Sequence, residues 1–500
     1  MPMPTRILDL HVHLFNARYL PLASIIADAM GKDESRLAKV VAKLLNALTG
    51  SAYETPIALA KAPAAMLRAS GGEPYLDAIW EVTRHELLLA TRSPSMMRSA
   101  DVAPETDVDN ALPIARMLDS ELMGIIQELD DIDYAAEGWP DDGDDAAAAS
   151  GEPLASRSAL SILGRSERIV KKALRIVAAL MDPDAWGEAH DYLEFFFTML
   201  RNEDRMVDKL YSVYGDGLPP IEAVHYMMDM QLAYPVPTPP YYPFQNDQIR
   251  RMQELQRRFP GKIYGFCAFD PRRESWRDIA DDARQRGLSG FKFYPSLGYK
   301  PSGTGDATLQ ARIDDFFRYC VEYSMPVFVH CTPVGFQTRK QEGANAHPQY
   351  WEPVLARHPD LRLCFGHAGG GRVEKNGKLV SAGWDADTET EWTDDNYARI
   401  VASLCARYEH VYCEFGHLTD LEKDGGMDRL LRNVQRARDA NAGPWDLLDK
   451  LAYGTDWHMP AMVGETREYL ERFLDVFDRA GYAPYRERFF WQNGYRYLGL

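Results

Sequence analysis

Long apolar runs are missing from this sequence: no stretch approaches the eighteen or so consecutive apolar residues that a membrane helix needs, so a membrane-spanning reading is excluded. Cysteine is scarce. The six present (Cys267, Cys320, Cys331, Cys364, Cys405 and Cys413) stand singly, with no CxxC pair, and read as buried free thiols, which removes a disulfide scaffold. Neither a phosphate-binding P-loop nor a dinucleotide GxGxxG fingerprint appears. Met1 to Arg6 lead straight into the strand-like Ile7 to Leu10 with no charged n-region, apolar h-region or small-residue cleavage site. The expectation is a chain with no secretory address, held in a reduced cytoplasm.

Positive charge is in deficit, with a net charge of −18, which argues against a nucleic-acid partner because such proteins neutralise phosphate with Lys and Arg. The deficit is local. Residues 101–160 hold 16 Asp and Glu against two Arg, leaving only −4 for the rest of the chain, so the acidity need not describe an active site. What is present is ordinary globular material: 46% hydrophobic and 26% charged residues over 500 positions, enough for a full core.

In the second half of the chain, short β-branched or aromatic runs alternate with helical stretches, the pattern of βα units around a parallel sheet. The runs are Ala223 to Met230, Ile263 to Phe269, Gly290 to Tyr294, Pro326 to His330, Leu361 to His367, His410 to Phe415 and Leu451 to Thr455. Arg6 to His13 supplies an eighth. The spacing therefore predicts a (β/α)8 barrel, its first strand within residues 1–19 and the other seven within 216–500. Residues 20–215 are too long for a loop and read as a helical insertion after strand 1. Within it, Leu37, Val40, Val41, Leu44, Leu45 and Leu48 repeat at three and four with Lys39 and Lys43 facing away, and Gly50 is placed to end that helix. Ala159 to Met181 and Ala185 to Tyr214 read as further helices, and the acidic Asp141 to Gly151 as a surface loop. Leaving strand 1 at its C-terminal end, the insertion suits either a lid or substrate wall, or a surface for homo-oligomer formation. The sequence does not separate these.

Asp9-Leu10-His11-Val12-His13 is the sharpest local signal, because residues two apart on a strand share a side and both imidazoles would face the barrel axis. Alone, an HxH is weak. Its force comes from the other strand ends: His330 closes one apolar strand, His367 another, and Asp456 follows a third. Polar groups buried at one end of a barrel need partners, so their repeated placement points to a shared site. Imidazoles with a carboxylate suit a borderline divalent ion such as Zn²⁺, one position remaining open to water.

Further motifs surround these residues: Phe269-Asp270-Pro271-Arg272-Arg273, Gly290-Phe291-Lys292-Phe293-Tyr294-Pro295, Tyr350-Trp351-Glu352-Pro353-Val354-Leu355, His358-Pro359-Asp360-Leu361 and Tyr453-Gly454-Thr455-Asp456-Trp457. In them the chain resembles the amidohydrolase superfamily, in its amidohydrolase-2 branch of metal-dependent hydrolases and decarboxylases. The likeness covers strand 1 and nearly all of residues 216–495; the insertion has no counterpart. The resemblance implies that His11, His13 and His330 bind a divalent metal, Zn²⁺ or Mn²⁺, with Asp456 as a ligand or close neighbour. It further implies that Asp456 takes the proton of the activated water and that His367 is catalytic. Lys292 stays open: a strand-4 lysine in some members is carboxylated and bridges two metals, in which case His330 and His367 hold the second ion; in others it is no ligand and could pair with an anionic substrate or Asp456. Analogy with the branch favours one ion per chain over two.

The implied function is a metal-dependent hydrolase acting on a small organic acid, ester, lactone or amide. The alternative is a decarboxylase of an aromatic or dienoic carboxylate. The remaining residues read more blandly. Glu414 and His417 are substrate contacts or ordinary loop residues, Asp229 a partner to a ligand, and His225 a packing residue. His85, His190, His347, His358 and His410 read as surface or packing residues, and His458 lies nearer the site. Tyr294, Tyr299, Phe336, Trp384, Trp392 and Trp457 are candidates for lining a pocket for a flat substrate.

Overall fold

A computed structural model of the chain describes residues 3–49, 124–125, 127–129, 131–133, 136, 195, 198–333, 342–375, 378–440, 443–459 and 462–500. The expected helix over 159–181, residues 185–194, 196 and 197 of that over 185–214, the acidic loop, Gly50, Phe336, His85 and His190 lie outside them. The chain divides into two compact units, one of residues 1–15, 206–233 and 242–500, the other of residues 16–205 and 234–241.

The first unit is the barrel. Its eight strands are β1 (Ile7–Val12), β2 (Ile221–Tyr226), β3 (Ile263–Phe269), β4 (Gly290–Phe293), β5 (Val327–His330), β6 (Leu363–Gly366), β9 (Val411–Phe415) and β10 (Leu451–Tyr453). They pair in that order, every pair parallel. A small antiparallel hairpin, β7 (Val373–Lys375) and β8 (Lys378–Ser381), lies between β6 and β9. The seam between β1 and β10 closes through a parallel bridge from Val12 to Trp457 and a 2.8 Å bond from Asp456 N–H to His11 O. Asp9 reinforces it, accepting from Thr455 N–H at 2.9 Å, Thr455 Oγ1 at 2.6 Å and Tyr214 Oη at 2.7 Å.

Helices follow the strands, from α4 (Ile249–Arg258) and α5 (Trp276–Gln285) to α6 (Ala307–Glu322), α7 (Glu352–Arg357), α8 (Tyr397–Arg407), α9 (Gly426–Asp439), α10 (Met462–Val476) and α11 (Asn493–Leu498). Alternate residues of each strand fill the interior. Leu8, Leu10, Val224, Tyr226, Phe266, Phe328, Cys364, Tyr412 and Ala452 form one apolar cluster, which Tyr497 and Leu498 of α11 join. The apolar filling occupies the strand bodies, so polar side chains collect where the strands end. All six cysteines are buried and unpaired.

The second unit includes α1 (Leu22–Ala29) and α2 (Arg36–Leu48). Ser35 caps α2, its Oγ accepting from Ala38 N–H at 3.0 Å, and Leu37, Val40, Val41, Leu44 and Leu45 are buried while Lys39 and Lys43 are exposed. The described C-cap is Thr49, whose hydroxyl donates to Leu45 O at 2.8 Å. The helix α3 (Glu203–Tyr214) leads back toward β2. No helix among the described residues is long and apolar enough to cross a membrane.

Candidate metal centre

A β-bulge builds the first part of the site. Asp9 pairs with Ala223 and Val12 with His225, so three steps along β1 are matched by two along β2. The extra residue lets Leu8 and Leu10 face the interior and, one residue later, turns His11 inward too, a use of bulges common beside functional sites. His11 then lies among interior rings, 4.7 Å from Phe328 and 5.3 Å from Tyr226 between centroids. His13, two residues on, shares its side, with ring centroids 5.2 Å apart.

Outer partners fix both rings. His11 Nδ1 lies 2.9 Å from Glu414 Oε1, and His13 Nδ1 lies 2.9 Å from Tyr226 O. A carbonyl oxygen only accepts, so His13 carries its proton on Nδ1. Glu414 Oε1 already accepts from His367 N–H at 2.7 Å, so it accepts from His11 Nδ1 as well. Nε2 of both rings is turned toward Asp456, whose Oδ1 is 3.1 Å from His11 Nε2 and 3.3 Å from His13 Nε2. All three side chains are buried.

Burial drives the His11 imidazolium far below its ordinary value, with Asp456 opposing and Lys292 reinforcing the shift. Burial also opposes the Asp456 carboxylate, but attraction to His11 and hydrogen bonds from His13 and His417 outweigh it and hold the carboxyl well below the usual range. The two shifts draw on the same attraction. Burial prevails at His11, whose Nδ1 proton already bonds Glu414, so a neutral imidazole lone pair faces a carboxylate oxygen. That arrangement is repulsive unless a cation lies beside them, a position the Lys292 ammonium, 3.4 Å from His11 Nε2, approaches. Among the described residues, the set whose ligand atoms all lie within 4.8 Å of one another is His11, His367 and Asp456, a donor set of two imidazoles and a carboxylate that suits a divalent ion.

His367 and His330 adjoin this group. His367, Ala368, His417 and Asp456 all have positive φ (59°, 48°, 53° and 63°), and among the described residues Ser324 is the one other non-glycine with this conformation. Each costs about 1–3 kcal/mol, a cost concentrated at the strand ends that carry the polar groups. His367 Nδ1 donates to Gly416 O at 2.9 Å, and burial lowers its pKa to about 4, so the ring is neutral and Nε2 is an acceptor. Nε2 lies 3.2 Å from His330 Nδ1, while the His330 ring stacks on Tyr294 with centroids 4.3 Å apart. Among the described residues, His11, His367 and Asp456 bring one ligand atom each within 4.8 Å of one another.

Lys292 Nζ lies 3.4 Å from His11 Nε2 and over the rings of Phe328 (4.4 Å), Tyr226 (5.0 Å) and Tyr294 (5.5 Å). Burial pushes its pKa down from 10.5 to about 8, against the pull of Asp456 and Glu414. Because the folded chain releases this proton before the unfolded chain does, the ammonium destabilises the fold fully below pH 8 and ceases to do so as pH rises towards 10.5. Lys292→Met is therefore expected to stabilise the metal-free chain by about 2–3 kcal/mol at pH 7, read from urea unfolding. An equal gain at pH 10.5 would show that the charge is not its source.

Other expected residues lie around this centre or apart from it. Glu414 belongs to β9 itself, fully buried, and alternation from Tyr412 would have placed it inward. His417 approaches Asp456 Oδ2 at 3.6 Å. His225 Nδ1 accepts from Leu14 N–H at 2.9 Å and His458 Nδ1 donates to His13 O at 2.6 Å, holding the two sides of the His13–Leu14 peptide. Asp229 gives its carboxylate to Arg273 and does not reach the imidazoles. His347 pairs with Asp395 at 3.1 Å. Tyr299 and Trp384 are buried and donate to Phe269 O (2.9 Å) and Ala368 O (2.7 Å), as packing residues do.

The chain belongs to the amidohydrolase family, whose amidohydrolase-2 model matches residues 221–500. No curated protein matches the sequence. Similar solved structures include a probable 2-pyrone-4,6-dicarboxylic acid hydrolase from Acinetobacter baumannii with citric acid bound, at 11% identity over 59% of this chain and 88% of that one, with a TM-score of 0.38. A 5-carboxyvanillate decarboxylase from Novosphingobium aromaticivorans complexed with manganese is 13% identical over 59% and 80%, with a TM-score of 0.39. An amidohydrolase from Burkholderia multivorans with bound zinc is 16% identical over 61% and 91%, with a TM-score of 0.37.

Proposed function

We propose that the protein is a metal-dependent hydrolase of a small ester, lactone, amide or related organic acid. The observation that carries this reading is the gathering of His11, His13, His367 and the Asp456 carboxylate, all buried, at the C-terminal end of a family barrel. His11 and Asp456 would hold a divalent ion, Zn²⁺ or Mn²⁺, with His13, His330 and His367 beside them. Such an ion lowers the pKa of water towards about 7 and polarises a carbonyl oxygen.

The chain's own groups supply the rest. Asp456, ionised at neutral pH, has Oδ2 facing His417 and accepts a proton from water attacking the substrate carbonyl, then returns it to the leaving group. His367, neutral and fixed through Gly416, orients that water or the carbonyl with Nε2. Lys292 contributes positive charge for an anionic substrate. The partner is thus a small molecule and not a nucleic acid.

The test has two stages. Metal content of chain purified without chelator is expected at about one Zn²⁺ or Mn²⁺ per chain; no ion retained and none regained on addition would overturn the reading, and two would bring Lys292 into the ligand set. The loaded enzyme is then screened with small carboxylate-bearing esters, lactones and amides in ¹⁸O-labelled water. Labelled oxygen in the product supports hydrolysis. Release of CO₂ without label would replace the reading with decarboxylation.

A further inference from the structure

Glu414 makes an unusual set of contacts for a buried carboxylate. One oxygen, Oε1, accepts from the ring of His11 at 2.9 Å and from the backbone of His367 at 2.7 Å, so a single atom ties the end of β1 to the turn after β6. The other oxygen, Oε2, has no hydrogen-bond partner among the described residues, although the side chain is fully buried. Two glycines make room for it: a Cβ on Gly416 would lie 2.6 Å from Oε2, and one on Gly454 would lie 2.3 Å from it. An apolar or amide side chain could fill this space without stranding a charged oxygen. The carboxyl group stands where one oxygen accepts from the back of His11 and braces His367 in a backbone conformation with φ of 59° that an unsupported residue avoids.

We propose that Glu414 is a positioning residue for the metal centre, holding the His11 proton on Nδ1 so that Nε2 is left free to ligate, and setting the spacing between His11 and His367. The proposal rests on the metal-dependent reading above. Glu414 acts from behind the ligands and does not touch substrate. Burial pushes the Glu414 carboxyl well above its ordinary range, against the hydrogen bond from the His367 backbone, so its hold on His11 comes from the hydrogen bond to Nδ1, which makes His11 a stronger donor. Residues around Oε1 also dictate how a substitute behaves. In Glu414→Gln the amide oxygen must occupy the Oε1 position, because an amide nitrogen cannot accept from His367 N–H. This variant therefore keeps both hydrogen bonds at Oε1 and puts an amide nitrogen at the unpartnered Oε2 position in place of a carboxyl oxygen, whereas Glu414→Ala loses both bonds. Gly454→Ala leaves Glu414 chemically intact and displaces it, and its Cβ would also lie 3.1 Å from His11 Cβ, so it supports the test and Glu414→Gln decides it.

The dissociation constants of Zn²⁺ and Mn²⁺ are measured on the full chain by competition with a chromophoric chelator, alongside the visible absorption bands of the Co²⁺-loaded protein. Thermal unfolding of each metal-free variant gives the temperature range in which it is folded. Glu414→Gln is expected to weaken metal binding about tenfold and Glu414→Ala about a hundredfold, with Gly454→Ala changing affinity in the same direction and all three shifting the Co²⁺ bands. A role confined to structure would lower the unfolding temperature and leave the affinity and the Co²⁺ spectrum of the folded variants unchanged, and that result overturns the proposal. Glu414→Gln carries the test alone if the alanine variants do not fold. A wild-type chain that binds neither ion overturns the metal reading and this proposal with it; wild-type binding with unaltered variants overturns this proposal alone.

Discussion

Replacing His11 with alanine is expected to strip the chain of metal and of turnover together. The imidazole occupies the centre of the constellation: Nε2 is 3.1 Å from Asp456 Oδ1 and 3.4 Å from Lys292 Nζ, and Nδ1 is 2.9 Å from Glu414. Its loss removes a ligand donor and also leaves Glu414 Oε1 with the His367 N–H alone. Loss of an outer partner costs a metal site about tenfold to a hundredfold; loss of a donor at the centre should exceed that. Metal content per chain by mass spectrometry after dialysis is expected near zero, with hydrolysis falling to the background of the metal-free protein. A variant that retains its metal at wild-type affinity would remove His11 from the ligand set.

The second large effect is expected at His367, with a different signature. Alanine there leaves His11, His13 and Asp456 in place, so metal should remain while kcat falls about 10²–10⁴-fold, the range for loss of a positioned acid–base or orienting group. The neutral ring is held by Gly416 O through Nδ1 and meets His330 through Nε2, which suits a group that orients and exchanges hydrogen bonds without changing charge near pH 7. Measuring metal content and kcat on the same preparation distinguishes the roles. Metal lost in proportion to activity would make His367 a ligand, in keeping with its place in the 4.8 Å group; full activity would remove it from the mechanism.

Much of this site is legible along the chain because barrel geometry is local at each strand. An apolar run ending in histidine or followed by aspartate places a polar group at one end of the sheet, and the same end recurs at every strand of a parallel barrel. His11, His13, His330, His367 and Asp456 follow from that rule, and so does the burial of Lys292. The strand ends themselves are shorter than the apolar runs: β6 stops at Gly366 and β10 at Tyr453, so His367 and Asp456 stand beyond the ladder. Both take positive φ there, which pattern alone does not signal for histidine or aspartate. Glu414 was harder to read, since a glutamate near a strand end is ordinarily solvated. Its value comes from His11 and His367, whose positions 403 and 47 residues away no local window contains.

The sequence by itself determined the barrel, the order of its strands and the end at which polar residues gather, because hydrophobic periodicity and strand polarity are properties of neighbouring residues. Only the tertiary structure decided how those residues face one another. Simple alternation along β1 would put Asp9 on the same side as His11; the bulge instead sends Asp9 to the β1–β10 seam, where Thr455 and Tyr214 bind it, while Leu8, Leu10 and His11 all face inward. That single inserted residue depends on the register of β2, more than two hundred residues downstream. Its position is set by pairing across the sheet, and with it the orientation of the imidazoles on which the site depends.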